Sequence, residues 1–227
     1  MQRITPIIKN LIIINVLVFI AQQSIPAATD WGSLHYFSSP SFMPHQLITH
    51  MFMHDTHGVG HIFFNMFSLF IFGSTLENYI GSKRFLIFYL ICGLGAGILT
   101  QLSIPFSAEI FAKSSAGLEA ASRTGLDHLQ LVEAYKNEYS MLGASGAIMG
   151  VMAAFAYLFP NTELLLLFIP VPVKAKYVIP VFILIDLFSG VNPSAGDNVG
   201  HFTHLGGALI GFLIVFYWNK TNKKTFY

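Results

Sequence analysis

Charged residues are scarce in this chain of 227 residues. Aspartate, glutamate, lysine and arginine make up only 10% of it, whereas 54% of its residues are hydrophobic. A soluble domain carries roughly a quarter charged residues. The composition therefore excludes an ordinary soluble domain and favours a protein that is solvated largely by lipid.

Cysteine is also nearly absent. The single cysteine, Cys92, excludes a disulfide within the chain. Lysine and arginine (12) barely outnumber aspartate and glutamate (11), so the net charge of +1 gives no reason to expect a nucleic-acid partner. No internal repeat or low-complexity segment is apparent. Long apolar segments are therefore the dominant feature of the sequence.

These apolar segments predict the fold class. A helix needs about 20 apolar residues to cross ~30 Å of hydrocarbon. Six segments approach this length, the fifth being the shortest, so we predict an all-α, polytopic transmembrane helix bundle with six spans. We expect residues 1–227 to form one transmembrane domain with short cytoplasmic tails at both ends and outer loops at about 25–57 and 105–140. The predicted spans are near 6–24, 59–79, 84–104, 142–160, 176–190 and 200–218.

Basic residues predict the orientation of these spans. Nine of the twelve lysines and arginines fall on the side that holds both termini and the connections between spans two and three and between spans four and five. The other three share the 105–140 loop with five acidic residues. Cytoplasmic segments carry the excess of lysine and arginine. Both termini are therefore expected in the cytoplasm.

The connections between spans carry their own signals. Two prolines within 164–173 indicate that the fourth helix has already ended near Pro160. Leu129, Val132 and Tyr135 recur at helical spacing and predict a short interfacial helix in the second outer loop. The segment 189–200 is rich in glycine, asparagine and serine, so we expect a mobile loop there.

A serine and a histidine lie at matched depths in two of the spans. Spans two, four and six run in the same direction across the bilayer. Counted from their cytoplasmic ends at 1.5 Å per residue, Ser145, His204 and His61 lie roughly 21 to 24 Å up. The three polar side chains are therefore expected near one level, below the outer surface.

Glycines predict that the fourth and sixth spans approach closely. Gly146 and Gly150 follow Ser145, and Gly207 and Gly211 follow His204 on the same helix face. Small residues let transmembrane helices come together. The serine hydroxyl would then come within hydrogen-bond reach of the imidazole, about 2.6–3.2 Å, as a nucleophile and its base require.

Each of these residues also has a plainer interpretation. The run Gly143-Ala144-Ser145-Gly146 is also typical of a helix-packing face without chemistry. His201, one turn before His204, is a rival base. We favour His204 because it shares a face with the glycines, and because ionisable side chains inside a membrane mark functional sites.

His61 and Asn65 are candidates for an oxyanion hole. They are four residues apart, so they occupy one face of the second span. Both side chains can donate hydrogen bonds, and buried donors stabilise the negative charge that develops during acyl transfer. The backbone N–H of Ser145, near a helix start, would be a third donor. Alternatively, Asn65 only ties two helices together.

A histidine cluster offers a different function. His50, His54, His57 and His61 recur at spacings that suit metal chelation, and His45 precedes them. The nearby acidic residue, Asp55, would point off their face. We therefore favour interfacial histidines and no metal or other cofactor, with a metal- or haem-binding membrane protein as the alternative.

Together these residues resemble the rhomboid intramembrane serine proteases. The likeness rests on the order and spacing of His61-Ile-Phe-Phe-Asn65, Gly143-Ala144-Ser145-Gly146 and His204-Leu-Gly-Gly207. The run from Gln46 to His54 resembles the first outer loop of that family, and Glu77 followed by Gly81 resembles the end of its second helix.

The resemblance implies a six-helix fold with a Ser–His dyad and no aspartate. It implies Ser145 as nucleophile, His204 as general base, and His61, Asn65 and the Ser145 N–H as the oxyanion hole. The substrates would be transmembrane segments of membrane proteins, cut near the outer face through an acyl-enzyme. The chain would be a multi-pass protein of the bacterial cytoplasmic (inner) membrane whose partners are these substrates and membrane lipid.

The chain departs from the family pattern at three places. His45-Gln46 replaces a Trp-Arg pair, and Met149 replaces an aromatic residue that stacks on the base. A thioether can still pack against an imidazole, so we expect Met149 to support the His204 ring, but less firmly than an aromatic residue would. The 105–140 loop exceeds the family minimum. A non-catalytic relative that binds membrane proteins is a further alternative, but such relatives usually lose the serine or the histidine, and both are present here.

Overall fold

The computed structural model describes residues 3–166, 169–192 and 199–221. Helices lie at all six predicted segments. The major helices are α1 (Pro6–Ser24), α4 (Gly60–Ser68) continued through a π-helical turn (Leu69–Gly73) into α5 (Ser74–Ile80), α6 (Ser82–Lys113), α9 (Ser145–Leu158), α10 (Ala175–Val191) and α11 (His201–Thr221).

Shorter elements complete the chain. They are α2 (Ala27–Gly32), α3 (Gln46–Thr49) with a 3-10 turn (His50–Phe52), α7 (Ser115–Thr124), α8 (His128–Glu138) and four strands, β1 (Leu34–His35), β2 (Ser140–Met141), β3 (Glu163–Leu166) and β4 (Ile169–Lys174). The strands form two separate antiparallel pairs, β1 with β2 and β3 with β4.

The helical membrane bundle is confirmed. Within the described part of the chain, α1, α6 and α11 are long and apolar enough to cross a bilayer, and α9 is a shorter apolar helix. Large apolar side chains point outward, among them Leu17 on α1 and Phe188 on α10, which are 60% and 69% exposed. An apolar outer surface suits lipid as the solvent. The number of spans stays a prediction.

Helix α9 forms the centre of the bundle. Ten consecutive residues, Gly146–Phe155, are buried. The helix packs against α6 and α11. It ends at Leu158, which confirms that the fourth helix stops before Pro160. The β3–β4 hairpin that follows was not predicted from the sequence.

Glycines bring α9 and α11 into backbone contact. A Cβ atom added at Gly207 would overlap the carbonyl oxygen of Gly146, and one added at Gly211 would overlap the carbonyl oxygen of Gly150. Gly150 itself faces the Cys92 thiol of α6, 2.6 Å from the position of an added Cβ. The predicted close approach of these two helices is therefore present, and it leaves no room for a methyl group.

A buried glutamate joins α1, α5 and α6. The Glu77 carboxylate accepts hydrogen bonds from the Thr5 hydroxyl, from the Ile7 and Ile8 N–H groups at 3.1 Å each, and from the Ser82 hydroxyl at 2.6 Å. It therefore caps the start of α1, where unpaired N–H groups favour negative charge. It also ties that helix to α5 and α6.

The side-chain amides of two glutamines, Gln46 and Gln22, bind backbone groups of the first loop. Gln46 is fully buried and accepts from the Met43 N–H while donating to the Ser41 carbonyl oxygen, at 3.1 and 3.0 Å. Gln22 of α1 accepts from the His54 N–H at 2.9 Å and donates to the carbonyl oxygen of the same residue at 3.0 Å.

A third amide extends this fastening to α6. Gln101 accepts from the Phe37 N–H at 2.9 Å and donates to the His35 carbonyl oxygen at 2.8 Å. The first loop is thereby fixed to α1 and α6 through neutral groups.

The 105–140 segment is largely helical. Helix α6 continues past Pro105 to Lys113 and is followed by α7 and α8. An Asp127–Gln130 capping box starts α8, which confirms a helix at the predicted place. Of the residues that predicted it, Val132 is buried, whereas Leu129 is 72% exposed. The position of this segment outside the membrane stays a prediction.

We predict that Gly207→Ala destabilises the protein. The added methyl group would push α11 away from α9, and overpacking of this kind costs about 1–3 kcal/mol. The midpoint of thermal unfolding in detergent should fall by several degrees. Gly60→Ala is the matched control, because an added Cβ there meets no atom of the described residues within 4 Å. Equal melting temperatures for the two variants would contradict the close packing.

Candidate active site

Ser145 and His204 meet where two helices begin. Ser145 is the first residue of α9, and His204 lies in the first turn of α11. The His204 Nε2 atom is 2.8 Å from the Ser145 Oγ atom. The His204 side chain is only 18% exposed. The structure therefore brings together the two side chains that the sequence places at matched depths, and their roles in catalysis stay predictions.

An aspartate lies on the other side of the His204 ring. The His204 Nδ1 atom is 3.2 Å from each carboxylate oxygen of Asp186, on α10. His201 Nδ1 is 2.7 Å from Asp186 Oδ1. Both His201, the rival base, and His204 are thus bonded to Asp186. The ring that also reaches Ser145 is that of His204.

Sequence reasoning missed this use of Asp186. The resemblance implied a site without an aspartate, although Asp186 is the only acidic residue in the predicted fifth span, 176–190. The available signal was its presence there, because a lone carboxylate in an apolar helix is costly unless it has partners. The partners lie on a different helix, so neighbouring positions in the sequence gave no indication of them.

The start of α9 concentrates hydrogen-bond donors near Ser145. The first helical bond of this helix runs from the Ile148 N–H to the Ala144 carbonyl oxygen at 3.0 Å. The N–H groups of the residues between them have no partner within the helix, as at any helix N-terminus. This end also carries the positive pole of the helix dipole. The position favours negative charge beside the serine.

His61 points a ring nitrogen toward the same place. Its Nδ1 atom accepts a hydrogen bond from the Asp55 N–H at 3.1 Å, so in the neutral ring the hydrogen is on Nε2. A Cβ added at Gly143 would lie 3.1 Å from His61 Nε2 and 3.5 Å from Ser145 Oγ. The histidine donor and the serine oxygen therefore flank one small space.

Gly143 is suited to this space for two reasons. Its φ angle of +129° is one that other residues rarely adopt. It also carries no side chain that would separate His61 from Ser145. Its N–H donates to the His50 carbonyl oxygen at 2.9 Å, which fixes the first loop to the residues just before α9.

Asn65 is buried on the same helix as His61, but its bond runs along that helix. One hydrogen of its Nδ2 group is donated to the His61 carbonyl oxygen at 2.9 Å. The amide has a second hydrogen. Its predicted part in the oxyanion hole is not among the contacts that the structure gives, and it stays a prediction.

The departures from the family pattern have structural counterparts. His45 stacks on the Trp31 ring with centroids 4.2 Å apart, and its Nε2 atom bonds to the Trp31 carbonyl oxygen at 2.9 Å. Gln46, beside it, bonds to backbone groups of Met43 and Ser41 in the first loop. Met149 is buried in the main core, one turn below Ser145. Its packing against the base stays a prediction.

Two histidines of the candidate metal cluster in the first loop, His50 and His57, have hydrogen-bond partners within the protein. His50 Nδ1 bonds to the Gln46 carbonyl oxygen at 2.8 Å, and His57 Nδ1 bonds to Asp55 Oδ1 at 2.7 Å. Among the residues that the structure describes, no three metal-ligating side chains come together.

The fold and the site define an integral membrane helix bundle with a partly buried serine–imidazole pair. The Rhomboid domain family model matches residues 41–220, which include every candidate site residue. The chain belongs to the rhomboid family.

Similar proteins come from mitochondria and from bacteria. Rhomboid protein 1, mitochondrial, of Saccharomyces cerevisiae is 28% identical over 169 residues, which cover 72% of this chain and 39% of the yeast protein. The putative rhomboid protease YdcA of Bacillus subtilis is 28% identical over 173 residues, 75% of this chain and 65% of that protein. Rhomboid protease GluP of the same organism is 29% identical over 168 residues, 74% of this chain and 24% of that protein. The mitochondrial relatives from yeast, plants and primates are longer, and the match spans 39% to 48% of their length.

We predict that folding stability falls as the pH is lowered from about 6.5 toward 4. Burial lowers the pKa of His50 to about 4, and burial together with the nearby His61 lowers the pKa of His54 to about 4. In the unfolded chain both residues titrate near 6.5. The unfolded state therefore takes up protons across this window that the folded state does not. Each residue contributes a loss of up to about 1.4 kcal/mol per pH unit.

Thermal unfolding in detergent between pH 7.5 and 5 measures this effect. His54→Phe should flatten the pH dependence, whereas the exposed His57→Phe should leave it unchanged. The explanation is wrong if His54→Phe shows the pH dependence of the unmodified protein.

Proposed function

We propose that this rhomboid protein is an intramembrane serine endopeptidase that cleaves transmembrane segments of membrane proteins. The observation that carries the proposal is the 2.8 Å distance between Ser145 Oγ and His204 Nε2 inside an apolar bundle. Two Bacillus subtilis relatives, GluP and YdcA, are named rhomboid proteases, the latter as putative. A protein that only bound membrane proteins would need no imidazole against this hydroxyl.

The first step is attack on the scissile carbonyl. Ser145 Oγ bonds to the carbonyl carbon, the π electrons of the C=O bond move to its oxygen, and the hydroxyl proton passes to His204 Nε2. The bond from His204 Nδ1 to Asp186 favours this transfer, because it leaves the Nε2 lone pair free to accept the proton.

The oxyanion formed in this step needs donors. We propose as donors the Ser145 N–H, at the start of α9, and the His61 Nε2–H, which lies beside the nucleophile across Gly143. We propose Asn65 as a third donor, through the hydrogen that is not bonded to the His61 carbonyl. Donors that are fixed before the reaction stabilise the developing charge at little reorganisation cost.

The remaining steps release the products. The tetrahedral intermediate collapses, the peptide C–N bond breaks, and His204 Nε2–H gives its proton to the leaving amine. A water molecule then attacks the ester carbonyl carbon of the acyl-enzyme and gives a proton to His204 Nε2. The C–O bond to Ser145 breaks, Nε2–H returns the proton to Oγ, and the second product leaves as a carboxylic acid. No step needs a cofactor.

We propose that the chain works in the bacterial cytoplasmic membrane with both termini in the cytoplasm. The uneven distribution of lysine and arginine supports this orientation. Ser145 and His204 both lie at the starts of helices that would then run inward from the outer face. The site would thus open to the outer side, where water is available for deacylation.

We predict that Ser145→Ala abolishes cleavage of a model transmembrane substrate in proteoliposomes while the fold persists. The variant has no nucleophilic oxygen. A fluorophosphonate should label the unmodified protein at Ser145, as mapped by mass spectrometry, and should not label the variant. Ser140→Ala is the control, because Ser140 is exposed and pairs through its backbone. Undiminished cleavage by Ser145→Ala would refute the assignment of Ser145 as the nucleophile.

We predict that His61→Ala lowers kcat by about 10²-fold, the scale of losing one oxyanion donor. The KM for the substrate should change little, because the donor acts mainly on the charged intermediate. His57→Ala is the control, since the His57 side chain is 96% exposed. Normal turnover by His61→Ala would mean that His61 only supports the first loop.

A further inference from the structure

The carboxylate of Asp186 is placed between two imidazole rings. Its Oδ1 atom is 2.7 Å from His201 Nδ1, and both of its oxygens are 3.2 Å from His204 Nδ1. The Asp186 and His201 side chains are each only 13% exposed. An acidic group this well enclosed in an apolar helix is costly unless hydrogen-bond donors surround it.

Close packing of α10 against α11 maintains this arrangement. A Cβ added at Gly190 of α10 would lie 3.2 Å from the His201 Cβ and 3.4 Å from the Phe202 ring. The C-terminal end of α10 therefore rests on the first turn of α11. Asp186 lies one turn earlier on α10 and faces the histidines of that turn.

Hydrogen-bond chemistry fixes where the protons are. An ionised carboxylate only accepts, so each Nδ1 atom facing it must carry a hydrogen. In neutral His204 the hydrogen is then on Nδ1, and Nε2 keeps its lone pair. This is the tautomer that can accept the Ser145 hydroxyl proton. The opposite tautomer would present an N–H to the serine and could not act as its base.

We infer that Asp186 is a positioning residue for catalysis, which selects the base-competent tautomer of His204 and stabilises its protonated form, and that His201 holds the carboxylate in place. The inference rests on the proposed function. Asp186 would act through His204 and would not touch the substrate. The site would then be a serine–histidine–aspartate arrangement contributed by three helices.

The first experiment is a kinetic comparison of Asp186→Asn with the unmodified protein. The asparagine amide can donate to His204 Nδ1 and so favours the wrong tautomer. We expect kcat to fall on the order of 10²- to 10⁴-fold, with KM and the melting temperature little changed. The rate of fluorophosphonate labelling should fall in parallel. Asp30→Asn makes the same chemical change at an exposed position and is the control.

The second experiment reads the tautomer directly. Nitrogen NMR of protein labelled with ¹⁵N-histidine distinguishes protonated from unprotonated ring nitrogens, and His204→Ala identifies the signal among the nine histidines. At neutral pH the unmodified protein should show a protonated Nδ1 and an unprotonated Nε2 for His204. In Asp186→Asn the proportion of this tautomer should drop.

The outcomes separate the inference from the proposed function. An unprotonated His204 Nδ1 in the unmodified protein would overturn the inference, and this measurement does not depend on whether Asp186→Asn folds. An unchanged kcat in Asp186→Asn would also overturn the inference. A lower kcat in that variant with the His204 tautomer unaltered would overturn it as well. Cleavage by Ser145→Ala would instead refute the proposed function, whichever tautomer His204 adopts.

Discussion

The site depends on how closely α9 and α11 approach each other. Gly146 and Gly150 face Gly207 and Gly211 with backbone against backbone, so the first turns of the two helices lie side by side. Only at this separation does a short serine side chain meet an imidazole at 2.8 Å. Lipid supplies no hydrophobic force between helices, so close packing and polar contacts must hold them together. The same small residues therefore stabilise the bundle and set the reactive distance.

The two carboxylates inside the bundle that bear on the site and its frame, Glu77 and Asp186, have definite partners. Glu77 caps α1 and ties it to α5 and α6, and Asp186 accepts from two histidines. Such pairing is what a medium of low dielectric constant demands, because a polar group without a partner there costs several kcal/mol. The Glu77 carboxylate is bonded to groups at helix ends, whereas the Asp186 carboxylate is bonded to imidazole rings, whose protonation can change. Their surroundings, rather than their residue type, separate the two roles.

Much of this arrangement was predictable from the sequence, because it follows from patterns among residues that are close together in the chain. Apolar length located the helices, and glycines spaced four apart located the α9–α11 contact. Asp186 was not predicted as a partner of His204, because their contact joins helices whose mutual rotation the sequence does not specify. The β3–β4 hairpin was missed because prolines usually argue against strands. Leu129 faces outward because α8 buries Leu131 beside Val132 instead.

The segments around Ser145 are fastened by glutamines, which has a consequence for the environment that this protein tolerates. Gln22, Gln46 and Gln101 bind backbone groups of the first loop through uncharged amides. An amide does not titrate, and its short hydrogen bonds are barely screened by dissolved ions. The shape of the loop should therefore be indifferent to ionic strength and to the charge of neighbouring lipid headgroups. A bilayer rich in anionic lipid and a neutral one would present the serine in the same setting.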